Sequence, residues 1–158
     1  MGTGVSVETG ITREGHDMIK KHGTANWQGS LKEGIGKVST QTAALRDHPY
    51  GFKARFEDGK GTNPEELVGA AHAACFAMAM SLGLGEKGYT ADNIDAKSTV
   101  SLEEVDGGFA VTKAHIEVTA TIPGISESEF QEVAKATEKG CPISKLLNAE
   151  ITMDAKLS

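Results

Sequence analysis

Asn63-Pro64-Glu65-Glu66, followed by the uncharged run LVGAAHAACFAMAMSLGL at residues 67–84, decides the reading of this chain. Asn63 has the short polar side chain of a helix cap. Pro64 sits where a missing amide costs nothing, and Glu66 stands where a cap is reciprocated. The spacing predicts one helix from Pro64 to about Gly85 or Gly88. A helix that is apolar all round must be covered on all sides. At this length the run could be taken for a membrane span. Its Ala and Gly content, with His72 and Ser81 inside, favours close packing on helices or a sheet instead, so no membrane is expected.

Working outward, three short strand-like runs precede the helix, at residues 24–29, 34–40 and 51–57. Gly, Asp and Pro signals separate them, with the loop Arg46-Asp47-His48-Pro49-Tyr50-Gly51 between the second and third. After the helix, residues 94–105 and 109–122 read as a β-hairpin around Asp106-Gly107-Gly108. The alternation of Ala114, Ile116, Val118, Ala120 and Ile122 puts one apolar face inward. Residues 126–139 form an amphipathic helix that Ser126 caps and Gly140 ends. Cys141-Pro142 opens another short helix to about Asn148, and residues 151–157 close as a strand. The expected class is α+β, with one domain over residues 18–158 and no repeats.

The N-terminal residues 1–17 are rich in Gly, Thr and Glu and lack an apolar period. They read as a poorly ordered leader, added or native. They have neither the basic start nor the apolar stretch of a signal peptide, which points to the cytoplasm. A net charge of −6, without a Lys/Arg cluster, argues against nucleic acid as a partner. Two cysteines are too few for a disulfide scaffold, and their distance in sequence excludes a local redox pair or zinc knuckle.

Cys75 lies in mid-helix among alanines. Read physically, it is a small buried hydrophobe whose pKa burial raises, unless a positive charge is brought to it. Cys141 lies at a helix start, where the dipole favours a thiolate, so local physics nominates it as the more acidic thiol. His72, one turn before Cys75, could act as a base or bind a metal, but two ligands are too few for a structural zinc site. His16, His22, His48 and His115 are scattered, and Phe76, Met78 and Met80 read as core. The chain has no nucleophile elbow, P-loop or dinucleotide fingerprint.

At Gly61-Thr62-Asn63-Pro64-Glu65-Glu66-Leu67 and Ala70-Ala71-His72-Ala73-Ala74-Cys75-Phe76 the chain resembles the osmotically inducible protein C (OsmC) family, sister to the organic hydroperoxide resistance (Ohr) proteins. The resemblance continues through His48-Pro49-Tyr50-Gly51-Phe52, Gly108-Phe109-Ala110-Val111-Thr112-Lys113, Gly140-Cys141-Pro142-Ile143-Ser144 and Ala149-Glu150-Ile151-Thr152. Arg55 and His72 place it on the OsmC side.

This resemblance implies antiparallel β-sheets wrapped around a long central buried helix, in an intertwined homodimer with shared active sites. It implies a peroxidase active against organic hydroperoxides, serving oxidative and osmotic stress defence, with no metal or other cofactor. Cys75 would be the peroxidatic thiol and Cys141 the resolving one. Arg55 would stabilise the thiolate and the departing alkoxide, and Glu65 would orient Arg55. An external dithiol, such as a lipoyl protein, would restore the thiols. With Glu66 serving the Asn63 cap, Glu65 is free for that role. Glu65 and Cys75 are separated by about 15 Å along one helix axis, so one Arg side chain cannot readily meet both in the same helix. Two antiparallel helices in a dimer would bring Glu65 of one chain beside Cys75 of the other, with Arg55 between them. The plainer alternative leaves Glu65 as a favourable charge at the helix start. A non-catalytic redox sensor, an apolar-ligand-binding module and an inert structural dimer are the alternatives to the enzyme.

Overall fold

A computed structural model describes residues 18–158; the leader expectation for residues 1–17 lies outside the described residues. Strands β1 (Gly23–Gln28), β2 (Ile35–Thr40) and β3 (His48–Tyr50) form an antiparallel sheet in that order. Helix α1 (Phe52–Phe56) follows, then the long α2 (Pro64–Glu86). Strands β4 (Asn93–Val105) and β5 (Gly108–Thr121) make a long hairpin. Helices α3 (Glu127–Gly140) and α4 (Pro142–Leu146) lead to β6 (Glu150–Leu157), which lies parallel to β5 at the other side of the second sheet.

The local chemistry explains the boundaries. Asn63 Oδ1 accepts the Glu66 amide at 2.9 Å, and Pro64 occupies the first turn of α2. Ser126 accepts the Glu129 amide at 3.2 Å in the same way. The β4–β5 turn needs two residues with positive φ, and Asp106 (46°) and Gly107 (81°) supply them.

The core forms where α2 and α3 meet the inner face of the second sheet. Helix α2 buries Gly69, His72, Phe76, Met80 and Leu84, one face at helical spacing. Ala114, Ile116, Val118 and Ala120 of β5 meet it, as their alternation predicts, and Phe130, Val133 and Ala134 of α3 close the other side. Burying each large side chain here stabilises the fold by about 1.5–3 kcal/mol. Gly69 lets α2 approach β4: a Cβ there would stand 2.8 Å from the Ser98 carbonyl oxygen.

Two expectations change. Residues 51–57 are not a strand. The alternation of Phe52, Ala54 and Phe56 suits either period, and one helical turn wins: Phe52 and Phe56 stack at 4.9 Å, and the Arg55 amide reaches the Gly51 carbonyl at 3.2 Å. The third strand is instead His48–Tyr50, inside the expected loop. Helix α2 is also not covered on all sides within one chain. It is long and apolar enough to cross a membrane, and one face packs on the sheet. Its other face leaves Met78 76% and Leu82 67% exposed, with Ala71 and Ala74 beside them. The first sheet is similarly open: Trp27 is the only residue of β1 that is even half-buried.

Candidate functional site

The fold brings the two thiols together. Cys75 sits on the flank of α2, half-buried, while Cys141 is wholly buried at the junction of α3 and α4. The chain turns there because Cys141 leaves helical geometry (φ −57°, ψ 123°) and Pro142 starts the next helix. The Cys141 amide still bonds the Thr137 carbonyl at 2.9 Å, which anchors the turn to α3. Both cysteines are free, and they are close enough that each shifts the other's ionisation.

Their environments push the two thiols apart. Burial pushes Cys75 up; the Ile143 amide opposes this, and the neighbouring Cys141 sulfur reinforces it. None of these groups is a cation. Cys141 goes the other way. Burial opposes its ionisation, but the Ser144 amide and hydroxyl, the Cys75 thiol and the Ile143 amide outweigh that and hold it below the ordinary thiol range. The protonated sulfur makes no formal capping hydrogen bond, yet these donors face it and favour its charged form. Within one chain, these directions agree with the local reading that favours a thiolate at Cys141.

Arg55 and Glu65 form a second cluster. Arg55 Nη2 lies 2.7 Å from Glu65 Oε1, and its Nε lies 3.1 and 3.2 Å from the two carboxylate oxygens. The guanidinium also sits 5.3 Å from the centre of the Phe56 ring. The Glu66 carboxylate is occupied elsewhere, accepting from the Thr62 hydroxyl while the Glu66 amide serves the Asn63 cap, which leaves Glu65 to Arg55. Beside Arg55 opens an apolar pocket of about 250 Å³, walled by Trp27, Leu31, Tyr50, Phe52, Phe56 and Pro64. No described hydrogen bond or ion pair joins this cluster to the thiols.

His72 is not a ligand or a free base. It is fully buried, with Nδ1 2.9 Å from Ser98 Oγ and Nε2 2.8 Å from Ser144 Oγ. Among the described residues no group of three or more His, Cys, Asp or Glu side chains could hold a metal ion. Phe76 and Met80 are core, as expected, but Met78 is not: it lies on the face of α2 turned away from the sheet. His115 bonds Thr152 at 2.7 Å and Asp154 at 3.3 Å on the outer face of the sheet; His16 lies outside the described residues.

Sequence reasoning missed Ser144, the Ile143 amide and the aromatic pocket. Ser144 was findable, since it follows Cys141 at the same spacing that links Asn63 to Glu66 and Ser126 to Glu129. The pocket depends on pairing β1 with β2 and β2 with β3, which brings Trp27 and Tyr50 to 5.6 Å, and no local signal reports that.

The family model described as OsmC-like protein matches residues 57–156. This chain belongs to the OsmC family. It is 52% identical over 139 residues to the peroxiredoxin OsmC of Escherichia coli (strain K12), covering 88% of this chain and 97% of that protein. It is 30% identical over 101 residues to an organic hydroperoxide resistance protein of Xanthomonas axonopodis pv. citri, over 63% of this chain and 69% of the relative. Its fold matches the crystal structure of the organic hydroperoxide resistance protein OhrB of Bacillus subtilis, with a TM-score of 0.65 at 23% identity, over 85% of this chain and 98% of that one. The OsmC fold accounts for the long helix lying across the β4–β5–β6 sheet.

Proposed function

We propose that this OsmC protein is a thiol peroxidase that reduces organic hydroperoxides, with Cys75 as the attacking thiol and Cys141 as the resolving one. The observation that carries the reading is the pair of free thiols packed into one cluster, with unequal access and with burial and local donors acting on them in opposite directions. The names borne by the relatives, peroxiredoxin and organic hydroperoxide resistance protein, agree with it.

The chemistry closes with these parts. The Cys75 thiolate attacks the distal oxygen of the hydroperoxide, the O–O bond breaks, and the alkoxide takes a proton to leave as the alcohol. Cys75 becomes a sulfenic acid. The Cys141 thiolate then attacks that sulfur, a disulfide forms, and the departing hydroxide takes a proton to become water. An external dithiol exchanges with the disulfide and returns both thiols. The reading asks for no metal and no bound cofactor.

Access and acidity point to different thiols for the first step. Cys141 is the more acidic within one chain but is wholly buried, so a peroxide meets Cys75 first. Cys75 then needs a cation, and Arg55, oriented by Glu65, is the one we assign. The reading places Arg55 and Glu65 of one protomer beside Cys75 of the other. Two features support a dimer: the open apolar face of α2 and the open first sheet.

The experiment is thiol titration with an alkyl hydroperoxide. Both thiols should be lost together and recovered with a dithiol. Cys75→Ser should abolish turnover, and Cys141→Ser should permit one attack and then stall or over-oxidise. Multiple turnover by Cys75→Ser would overturn the assignment, and a single slow reaction without recovery would indicate a sensor.

A further inference from the structure

Among the described residues His72 is the imidazole that is wholly buried, and the reaction above leaves it unused. Its ring ties three elements together. Nδ1 meets Ser98 Oγ of β4 at 2.9 Å, and Nε2 meets Ser144 Oγ of α4 at 2.8 Å, while the ring itself belongs to α2. Ser144 is almost wholly buried and stands one turn after Cys141 at the start of α4, where its amide and hydroxyl favour the ionised form of that sulfur.

The protons in this chain of groups can be counted. Ser144 has one hydroxyl proton. If that proton is given to the Cys141 sulfur, the Ser144 oxygen must accept from His72, so Nε2 carries the ring proton. A neutral imidazole has one donor and one acceptor. Nδ1 is then the acceptor and takes its bond from the Ser98 hydroxyl. The donors run in one direction, from Ser98 to His72 to Ser144 to Cys141. Burial holds His72 below the ordinary imidazole range, which keeps the ring neutral and the direction single. In the reverse direction Ser144 would spend its proton on His72, and the sulfur would lose a donor.

We propose that His72, acting through Ser144, is a positioning residue that turns the serine proton onto Cys141 and so readies this buried sulfur to close the disulfide with Cys75. The proposal rests on the reading of Cys141 as the resolving thiol. In the step it serves, the Cys141 thiolate bonds the Cys75 sulfur and the sulfenic oxygen departs as hydroxide. The proton that Cys141 gave up completes the water. No further reagent is consumed.

The test separates the network from the peroxidase reading. In the Cys75→Ser protein, the ultraviolet absorbance of the Cys141 thiolate is followed against pH. Ser144→Ala should move the titration upward by about one pH unit, a roughly tenfold loss of thiolate below it. His72→Leu should move it the same way. Ser144→Thr keeps the hydroxyl, and His72→Gln keeps one donor and one acceptor, so both should titrate near the parent. Should His72→Leu fail to fold, Ser98→Ala, which removes the far end of the chain, should give a smaller upward shift. In protein that retains Cys75, the sulfenic acid trapped with dimedone after one equivalent of hydroperoxide should persist several-fold longer in Ser144→Ala than in Ser144→Thr. Unchanged titrations in Ser144→Ala and Ser98→Ala would overturn the proposal. If no sulfenic acid forms even in the parent, the peroxidase reading fails, and the titrations alone decide whether His72 and Ser144 set the state of Cys141.

Discussion

Glu65 holds Arg55 of its own chain by three hydrogen bonds of 2.7 to 3.2 Å, in the first turn of the helix that carries Cys75 at its middle. The guanidinium is thereby oriented and partly shielded, with side-chain exposures of 34% for Arg55 and 13% for Glu65. The rise along α2 from Glu65 to Cys75 is about 15 Å, more than an arginine already bound to Glu65 can span. On the proposed reading, the target of the pair is the cysteine of the partner chain.

This predicts complementation between subunits. Arg55→Ala and Cys75→Ser proteins should each be inactive against an alkyl hydroperoxide. Unfolded together and refolded as a mixture, they should regain about a quarter of the parent activity, because random pairing gives one intact site in half of the dimers. A mixture as inactive as its components would place the site within one chain.

The open face of α2 leads to a second expectation. Met78 and Leu82 are large, apolar and mostly exposed in the single chain, and small residues next to them allow another helix to come close. Met78→Arg or Leu82→Arg should convert a dimer to a monomer on size-exclusion chromatography and cut turnover at least tenfold. The β4–β5–β6 core does not use this face, so far-ultraviolet circular dichroism should stay near the parent. Active monomers would sever the link between assembly and catalysis.

Much of this was legible before the structure. The Asn63 cap, the Ser126 cap and the Asp106-Gly107 turn are local, and each fixed an element boundary to within a few residues. The inward alternation along β5 is local too. What failed was a choice between two periods over a stretch too short to distinguish them: Phe52 and Phe56 are compatible with a strand and with a helical turn, and only their stacking decides. The burial of α2 was misjudged because an uncharged sequence reports that a surface will be covered, not by what. His72 was legible as chemistry but not as geometry, since its partners Ser98 and Ser144 lie far along the chain on other elements.

Substrate preference should follow the apolar lining beside Arg55. Trp27, Tyr50, Phe52 and Phe56 offer apolar contact that an organic group can use and hydrogen peroxide cannot. Each buried methylene contributes about 0.8 kcal/mol, so cumyl hydroperoxide should exceed hydrogen peroxide in kcat/KM by at least tenfold. Trp27→Ala should narrow that ratio. Equal kcat/KM for the two peroxides would remove the pocket from the substrate path.

Gly69 offers a stability test that bears on the thiol network. A methyl there would stand 2.8 Å from the Ser98 carbonyl oxygen, which is backbone and cannot swing away. Gly69→Ala should therefore cost about 1–3 kcal/mol in urea unfolding, despite the better helix propensity of alanine. It should also lengthen the Ser98–His72 contact. Stabilisation by this change would show that α2 and β4 have slack between them.

The opposite pKa shifts of the two thiols give a prediction with a definite sign. Cys141 is held below the ordinary thiol range, so the folded state binds its proton less tightly than the unfolded state does. Its contribution to stability is full above the unfolded thiol pKa, about 8.5, and is lost as pH falls through the lower folded value. The stability gap between parent and Cys141→Ser, measured by urea unfolding under reducing conditions, should therefore widen from pH 6 to pH 9. Cys75 is raised, so its contribution is full below the unfolded pKa and is lost as pH rises through the folded one. In a monomer such as Met78→Arg, the gap for Cys75→Ser should narrow over the same range. In the dimer, an arginine brought to Cys75 by the partner would favour its thiolate and turn that slope toward the one for Cys141. A Cys141→Ser gap that stays constant or narrows would mean that Ser144 and the Ile143 amide do not hold the sulfur as described. A Cys75→Ser slope identical in monomer and dimer would mean that no cation reaches Cys75 on assembly.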